Sequence, residues 1–311
     1  MQNLWGKTQL TLHSFRIKVL MKKKYHFSFS KIIRKITINK LARYFKCEFF
    51  VRYQYKHMDL FSNVEIETVN RCNGVCPFCP VNANEKQRPY SRMSGTLLHK
   101  IINELREFDY GGSIALYSNN EPFLDKRIIE FYAYTRYCLP KAYVFIYTNG
   151  TLLSFEKFLG ILPYLDKIII NNYNDNYEKH PNVAKIYDSC QEHVELQDKV
   201  KISMRPLNQI RRSRGGQAPN KGKQKAPKEK CTLPFRQIIV RPDGKISLCS
   251  NDALGVYTMG DTSKQTLKEI WENNYYREIR KEMLINGRRN LRLCQDCDTT
   301  NVSNILEKYS D

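Results

Sequence analysis

The 311-residue chain predicts an α/β protein: a partial, open (β/α) barrel of parallel strands followed by a small α+β module. Three observations carry this expectation. From residue 61 onward, short runs rich in Val, Ile and Tyr alternate with longer segments of helical spacing, as strands joined by right-handed crossovers do. At residues 211–230, "RRSRGGQAPNKGKQKAPKEK" breaks the alternation with Lys, Gly and Pro and almost no apolar side chain, the composition of a linker. Beyond it, "FRQIIVRPDGKISLC" reads as a hairpin around a Pro-Asp-Gly turn.

In chain order, residues 1–60 form a basic N-terminal extension. Its stretch "SKIIRKITINKLARYFK" places Ile32, Ile36, Leu41 and Phe45 on one helical stripe, and Met21 is an alternative start. The barrel, 61–216, begins with the strand "SNVEIETV" and the helix "GTLLHKIINELREF". The pairs "GSIALYS" and "LDKRIIEFYAYTRY", "AYVFIYTN" and "SFEKFLGILPYL", "KIIIN" and "NVAKIYDSCQEHV" follow, and "KVKISMRP" is a fifth strand. A linker covers 217–230 and a small module 231–300, in which "SKQTLKEIWENNYYREIRKEML" is helical with Leu267, Ile270, Trp271 and Tyr275 on one face. Residues 301–311 are a tail.

The net charge of +20 is concentrated. Residues 1–60 hold 14 Lys+Arg against 2 acidic residues and 211–230 hold 8 against 1, so 19 of the 20 charges lie in an extension and a linker. A polyanion-binding surface would spread basic residues over the folded body, so no specific nucleic-acid partner is expected. The extension reads either as a solvated segment or as a contact for an anionic membrane surface or acidic partner. No run approaches the roughly 18 apolar residues of a spanning helix, and no apolar segment with a small-residue cleavage site opens the chain. The expected compartment is the cytoplasm.

Ten cysteines in such a chain point to metal or redox chemistry rather than a disulfide framework. Cys72, Cys76 and Cys79 form one group, and Cys231, Cys249, Cys294 and Cys297 a second. Cys47, Cys138 and Cys190 are expected to be buried apolar residues. A structural zinc ion wants four ligands, and no fourth cysteine stands near Cys79. A cubane iron-sulfur cluster has four irons, each wanting one ligand, so three thiolates leave one iron open. In a (β/α) fold, ligands bind beyond the carboxyl ends of the strands. The triplet follows the first strand and "TNG" the third, so both belong to that rim.

On "CNGVCPFC" and its position after the first strand, the chain resembles the radical S-adenosylmethionine (radical SAM) family. The resemblance implies a 4Fe-4S cluster on Cys72, Cys76 and Cys79 whose open iron binds S-adenosyl-L-methionine, and one-electron cleavage to a 5′-deoxyadenosyl radical. It implies a flavodoxin- or ferredoxin-type electron donor. "SNNEPFLD" resembles the segment that holds the cofactor's amino group, with Glu121 and Pro122 matching and Ser118, Asn119 and Asn120 where glycines are common. By the same resemblance Asn120, Asn149, Asn171 and Arg205 are cofactor-binding candidates, with loop-capping hydrogen bonds as the alternative role.

The second set resembles the SPASM extension of that family. Because no cysteine follows Cys297, it matches the reduced "twitch" form, which implies one auxiliary 4Fe-4S cluster ligated by Cys231, Cys249, Cys294 and Cys297; zinc is the alternative occupant. The spacing of this set is similar to that of family members that oxidise aminocyclitols. A radical left on a carbinol carbon must discard an electron to become a ketone, and a fully ligated cluster can accept it. The expected substrate is a sugar, aminocyclitol or other small alcohol, and Arg214 in "SRGGQAPN" is the catalytic candidate that orients a hydroxyl or assists proton removal. Epimerisation is an alternative if Cys138 or Cys190 faces the cavity. Peptide maturation and a non-enzymatic cluster or zinc protein are the others.

Overall fold

The computed structural model describes residues 41–42, 44–57, 59–219 and 226–299. Ile32, Ile36, Met21, the centre of the linker and the 301–311 tail lie outside the described residues. The chain divides into two compact units, Met1–Phe49 and Phe50–Asp311. Residues 44–57 are helical. Among the described residues no helix is long and apolar enough to cross a membrane.

Six strands run parallel: β1 (Asn63–Ile66), β2 (Ser113–Ala115), β3 (Tyr143–Thr148), β4 (Lys167–Tyr173), β5 (Val200–Arg205) and β6 (Gln237–Val240). Two antiparallel strands, β7 (Lys245–Ser247) and β8 (Thr258–Asp261), extend one edge. The order is β5-β4-β3-β2-β1-β6-β7-β8, and the sheet does not close. The hairpin after the linker thus continues the barrel sheet. The four residues of β6 are all buried and cover the edge of β1, which would otherwise present unpaired backbone groups.

Helices α1 (Gly95–Glu107), α2 (Ile128–Cys138), α3 (Phe155–Ile161) and α4 (Pro181–Glu192) connect the strands. Ser94 and Ser154 cap α1 and α3 by accepting from Leu97 and Lys157 N–H, satisfying donors the helix leaves open. Alternation along the strands sends Val64, Ile66, Val144 and Ile146 outward to meet Leu98, Ile101, Ile102 and Leu105 of α1 and their counterparts in one apolar core, each buried side chain contributing about 1.5–3 kcal/mol. The other face carries Glu65, Tyr117, Phe145, Tyr147 and Asn171, the inner surface of the partial barrel.

Helices α5 (Leu267–Glu272) and α6 (Asn274–Asn286) replace the single expected helix. Asn273 is extended at ψ 159 and caps α6 by accepting from Tyr276 N–H. That restart shifts the helical phase, so Tyr276 is buried and Tyr275 is exposed, contrary to the expected stripe. The Arg280 guanidinium lies 3.8 Å from the Trp271 ring centre and 4.0 Å from that of Tyr276, and the indole N–H donates to Asp59 O at 2.9 Å. Residues 211–219 also differ from the solvated linker their composition suggests. Ser213 binds Asp298 Oδ1 and Asp296 O. Gly215 takes φ +63 where a Cβ would strike Leu293, so only glycine allows this approach.

Candidate functional site

The cysteine loop is tied to the ends of β2 and β3 by short polar side chains. Asn73 Nδ2 donates to Thr151 Oγ1 at 2.8 Å and Asn149 Nδ2 to Asn73 Oδ1 at 2.9 Å. Glu121 N–H donates to Arg71 O at 2.9 Å, which seats "NNEP" against the residue before Cys72. A Cβ on Gly74 would lie 3.5 Å from Cys72 Sγ and 3.7 Å from Cys76 Sγ, so these two sulfurs flank one point. Burial, the largest cause, pushes the Cys72 thiol up to about 12 and Cys76 to about 11. Such thiols stay protonated unless a cation replaces the proton, which is what iron ligation supplies.

Gly150 of "YTNG" takes φ +80, and a Cβ there would come within 2.6 Å of Val183 and 2.8 Å of Ile170. Gly150→Ala is expected to destabilise the chain by about 1–3 kcal/mol, measured as a lowered denaturant midpoint; an unchanged midpoint would contradict this packing.

The structure gives Glu121 a bracing position. It is 1% exposed; one oxygen accepts from Thr148 Oγ1 at 2.7 Å and Phe123 N–H at 3.2 Å, the other from Asn149 N–H at 2.8 Å. These three donors fix the carboxylate that the sequence offers to an ammonium, and Oε2, with one donor, keeps an acceptor position. Burial raises its pKa from 4.5 to about 7. A raised value in the folded state means that its contribution to stability is full below 4.5 and is lost as pH rises through about 7. In iron-free chain, Glu121→Gln is expected to flatten the fall in urea midpoint between about pH 5 and 8; a fall as steep as before would refute this.

Asn120 Oδ1 accepts from Ser118 N–H at 3.0 Å, and its buried Nδ2 has no partner. Asn149, besides bonding Asn73, approaches Cys72 Sγ at 3.9 Å. Arg205 Nε donates to Asn171 Oδ1 at 2.9 Å, so the structure joins those two on the inner face. Asn172 points the other way, binding His180 N–H and Glu178 O.

The second set is buried throughout, with Cys231, Cys249, Cys294 and Cys297 at 5–6% exposure. Cys249 has the other three as electrostatic neighbours, so the four converge although the first and last are 66 positions apart. Among the described residues no three His, Cys, Asp or Glu side chains close as ligands of a single ion; a four-iron cluster is larger and its ligands stand further apart. Cys138 and Cys190 lie in the apolar core on α2 and α4, and neither residue is on the inner face.

Arg214 connects the two regions. Its backbone is left-handed, φ +53. Nη2 donates to Asn119 Oδ1 and, at 2.8 Å, to Ser250 O, next to Cys249, while its buried Nε has no partner. Asn119 is fixed in turn: its N–H donates to Glu67 Oε1 at 2.9 Å, its carbonyl accepts from Arg88 at 3.1 Å, and its Nδ2 donates to Ser250 O at 3.2 Å. Glu67 and Arg88 form a buried ion pair at 2.6 Å.

Beside Arg214 stand groups that sequence reasoning passed over. Glu65 accepts from Ser118 Oγ at 2.7 Å, Gln237 Nε2 at 2.8 Å and Asn63 Nδ2 at 3.3 Å. Unlike Glu121 it is partly exposed, and burial raises its pKa while Arg214 pulls it down. The Tyr117 and Tyr147 rings lie 5.2 Å apart, and Glu65 and Tyr147 both act on the Tyr117 phenol. Polar side chains at alternate positions of an otherwise apolar parallel strand are the signal that could have found them.

A three-cysteine loop at the rim of a parallel sheet, with four buried cysteines beyond it, defines a class. Residues 66–174 match the radical SAM superfamily and residues 231–298 the SPASM iron-sulfur cluster-binding domain, and these two domains imply 4Fe-4S clusters. It is 28% identical, over 78% of this chain and 95% of the relative, to the S-adenosyl-L-methionine-dependent 2-deoxy-scyllo-inosamine dehydrogenase of Niallia circulans. The crystal structure of BtrN in complex with AdoMet and 2-DOIA aligns at TM-score 0.69 and 26% identity, covering 79% of this chain and 96% of that one. An open conformation of BtrN shares the fold at TM-score 0.59 and 22% identity, covering 80% and 98%.

Proposed function

We propose that the chain dehydrogenates a secondary alcohol on an amine-bearing polyhydroxylated ring, an aminocyclitol or amino sugar, held on the inner face by Glu65, Tyr117, Tyr147 and Arg214. The observation that carries this reading is Arg214, whose unpartnered Nε is buried while its Nη2 spans Asn119 at the end of β2 and the carbonyl beside Cys249. The similarity to an aminocyclitol dehydrogenase over 95% of that protein supports it. The cysteines fit the clusters, since the rim set offers three neighbouring thiols, two of them flanking Gly74, and the second offers four buried ones. When bound, the Cys72–Cys76–Cys79 cluster and S-adenosylmethionine supply a hydrogen-abstracting radical, and the Cys231–Cys249–Cys294–Cys297 cluster supplies an electron acceptor.

The chain's own groups account for binding and proton handling. The carboxylate of Glu65, on the inner face, suits an ammonium, with a charge-assisted hydrogen bond as the gain. Arg214 Nε is a fixed donor for a hydroxyl oxygen, and its retained charge favours loss of the hydroxyl proton as the carbinol carbon is oxidised. The tyrosine pair offers an apolar wall and phenol donors to a ring. Glu121, Asn120, Asn149, Asn171 and Arg205 are the residues we assign to S-adenosylmethionine. A flavodoxin- or ferredoxin-type donor is the expected electron source.

The experiment compares wild type and Glu65→Gln on amine-bearing cyclitols and on their hydroxyl counterparts. Loss of a charged hydrogen bond is expected to raise KM about 10–100-fold for the amine only. An equal effect on both substrates would contradict the assigned role of Glu65, and absence of activity on every hydroxylated ring would contradict the reading itself.

A further inference from the structure

Helix α6 ends at Gly287, whose φ of +68 reverses the chain. The next residue, Arg288, turns inward and is 5% exposed, whereas Arg289 remains at the surface. The Arg288 fork is spent on backbone carbonyls: Nε donates to Glu229 O at 3.2 Å, Nη1 to Cys297 O at 3.2 Å and Nη2 to Thr299 O at 2.8 Å. Each carbonyl belongs to a cysteine of the second set or lies two residues from one. Among the described residues no Asp or Glu forms an ion pair with it. The groups beside it that can carry the opposite charge are the sulfurs of Cys231, Cys297 and Cys294, which become thiolates on ligating iron. Asp252, on the Cys249 side, is engaged by Val256 and Tyr257 N–H.

A guanidinium does not shed its proton when buried, and a buried charge without a partner is strongly destabilising. Carbonyl dipoles alone leave that charge uncompensated. Four thiolates around an iron-sulfur cluster bring the missing negative charge, and a fixed cation beside such a cluster stabilises its reduced form.

We propose that Arg288 is the buried counter-charge of the second cysteine set and raises the reduction potential of the cluster held there. The inference rests on the assignment of an auxiliary cluster to that set and is independent of the substrate. It gives the cluster the electrostatic bias that an electron acceptor needs.

The test uses full-length chain carrying Cys72→Ala, Cys76→Ala and Cys79→Ala, so that only the second cluster is observed, with potentiometric titration followed by electron paramagnetic resonance and with iron counted on each sample. Arg288→Gln is expected to shift the reduction equilibrium about tenfold or more toward the oxidised form, about 59 mV for a one-electron couple. Arg288→Lys, which keeps the charge, is expected to stay within about threefold. If Arg288→Gln loses the iron while remaining folded by circular dichroism and Arg288→Lys keeps it, the charge is needed to hold the cluster, which also supports the proposal. Equal potentials in all three proteins at full iron content would overturn it, and so would loss of iron from both variants, which would mark a carbonyl clamp rather than a counter-charge. Absence of a cluster before Arg288 is changed would overturn the two-cluster assignment together with the proposal.

Discussion

Replacing Cys72, Cys76 and Cys79 together by alanine is expected to abolish formation of 5′-deoxyadenosine from S-adenosylmethionine while removing about half of the bound iron, because one of two four-iron clusters loses its ligands. The complementary change, Cys294→Ala with Cys297→Ala, is expected to remove about the other half and to stop turnover at the oxidation of substrate. The contrast follows from the ligand sets. Three thiols around the Gly74 loop leave a position for a reactant, whereas four thiols buried to 5–6% exposure leave none. Chromatography of the nucleoside products with iron and sulfide analysis checks both. Full 5′-deoxyadenosine formation by the triple variant would remove the assignment of the rim site.

Arg214→Met carries the second large effect. Its guanidinium is anchored on Asn119 and Ser250, and its buried Nε has no partner within the protein. Removing a fixed donor of this kind is expected to lower ketone formation about 10²-fold, while substrate-independent cleavage of S-adenosylmethionine stays within about twofold, a split that mere loss of structure would not produce. Asn119→Ala is expected to cost less, about tenfold, because Arg214 keeps its bond to the Ser250 carbonyl. Separate assays of cleavage and product formation measure the split. Equal loss of both would reduce Arg214 to a strut between β2 and the second cysteine loop.

The two cysteine groups were legible in the sequence because the spacing of Cys72, Cys76 and Cys79 and of Cys294 and Cys297 is a local property. So was the parallel sheet, since Val- and Ile-rich runs alternate with helical spacing over the whole barrel. Strand β8 was not, because "TMGD" is four residues long with Gly and Asp inside it, and its pairing with β7 is tertiary. The break at Asn273 was hidden by unbroken helical spacing on both sides, and a side-chain cap on Tyr276 N–H decided it. Arg214 stood out from its surroundings in sequence, but its companions did not. Glu65 and Asn119 take partners from segments 53 to 172 residues away, and no spacing rule spans that distance. Residues 211–219 carry the composition of a solvated linker, yet Gly215 allows them to pack on Leu293.

The central claim is that a radical generated at the Cys72–Cys76–Cys79 site takes hydrogen from a carbinol carbon on the inner face. Anaerobic turnover with 2-deoxy-scyllo-inosamine or a related aminocyclitol, deuterated at that carbon, tests it by mass spectrometry of the 5′-deoxyadenosine. The account predicts deuterium in the nucleoside together with an equivalent amount of ketone. Ketone formed with unlabelled 5′-deoxyadenosine, or no ketone across the deuterated panel from protein that holds both clusters and cleaves the cofactor, would contradict it.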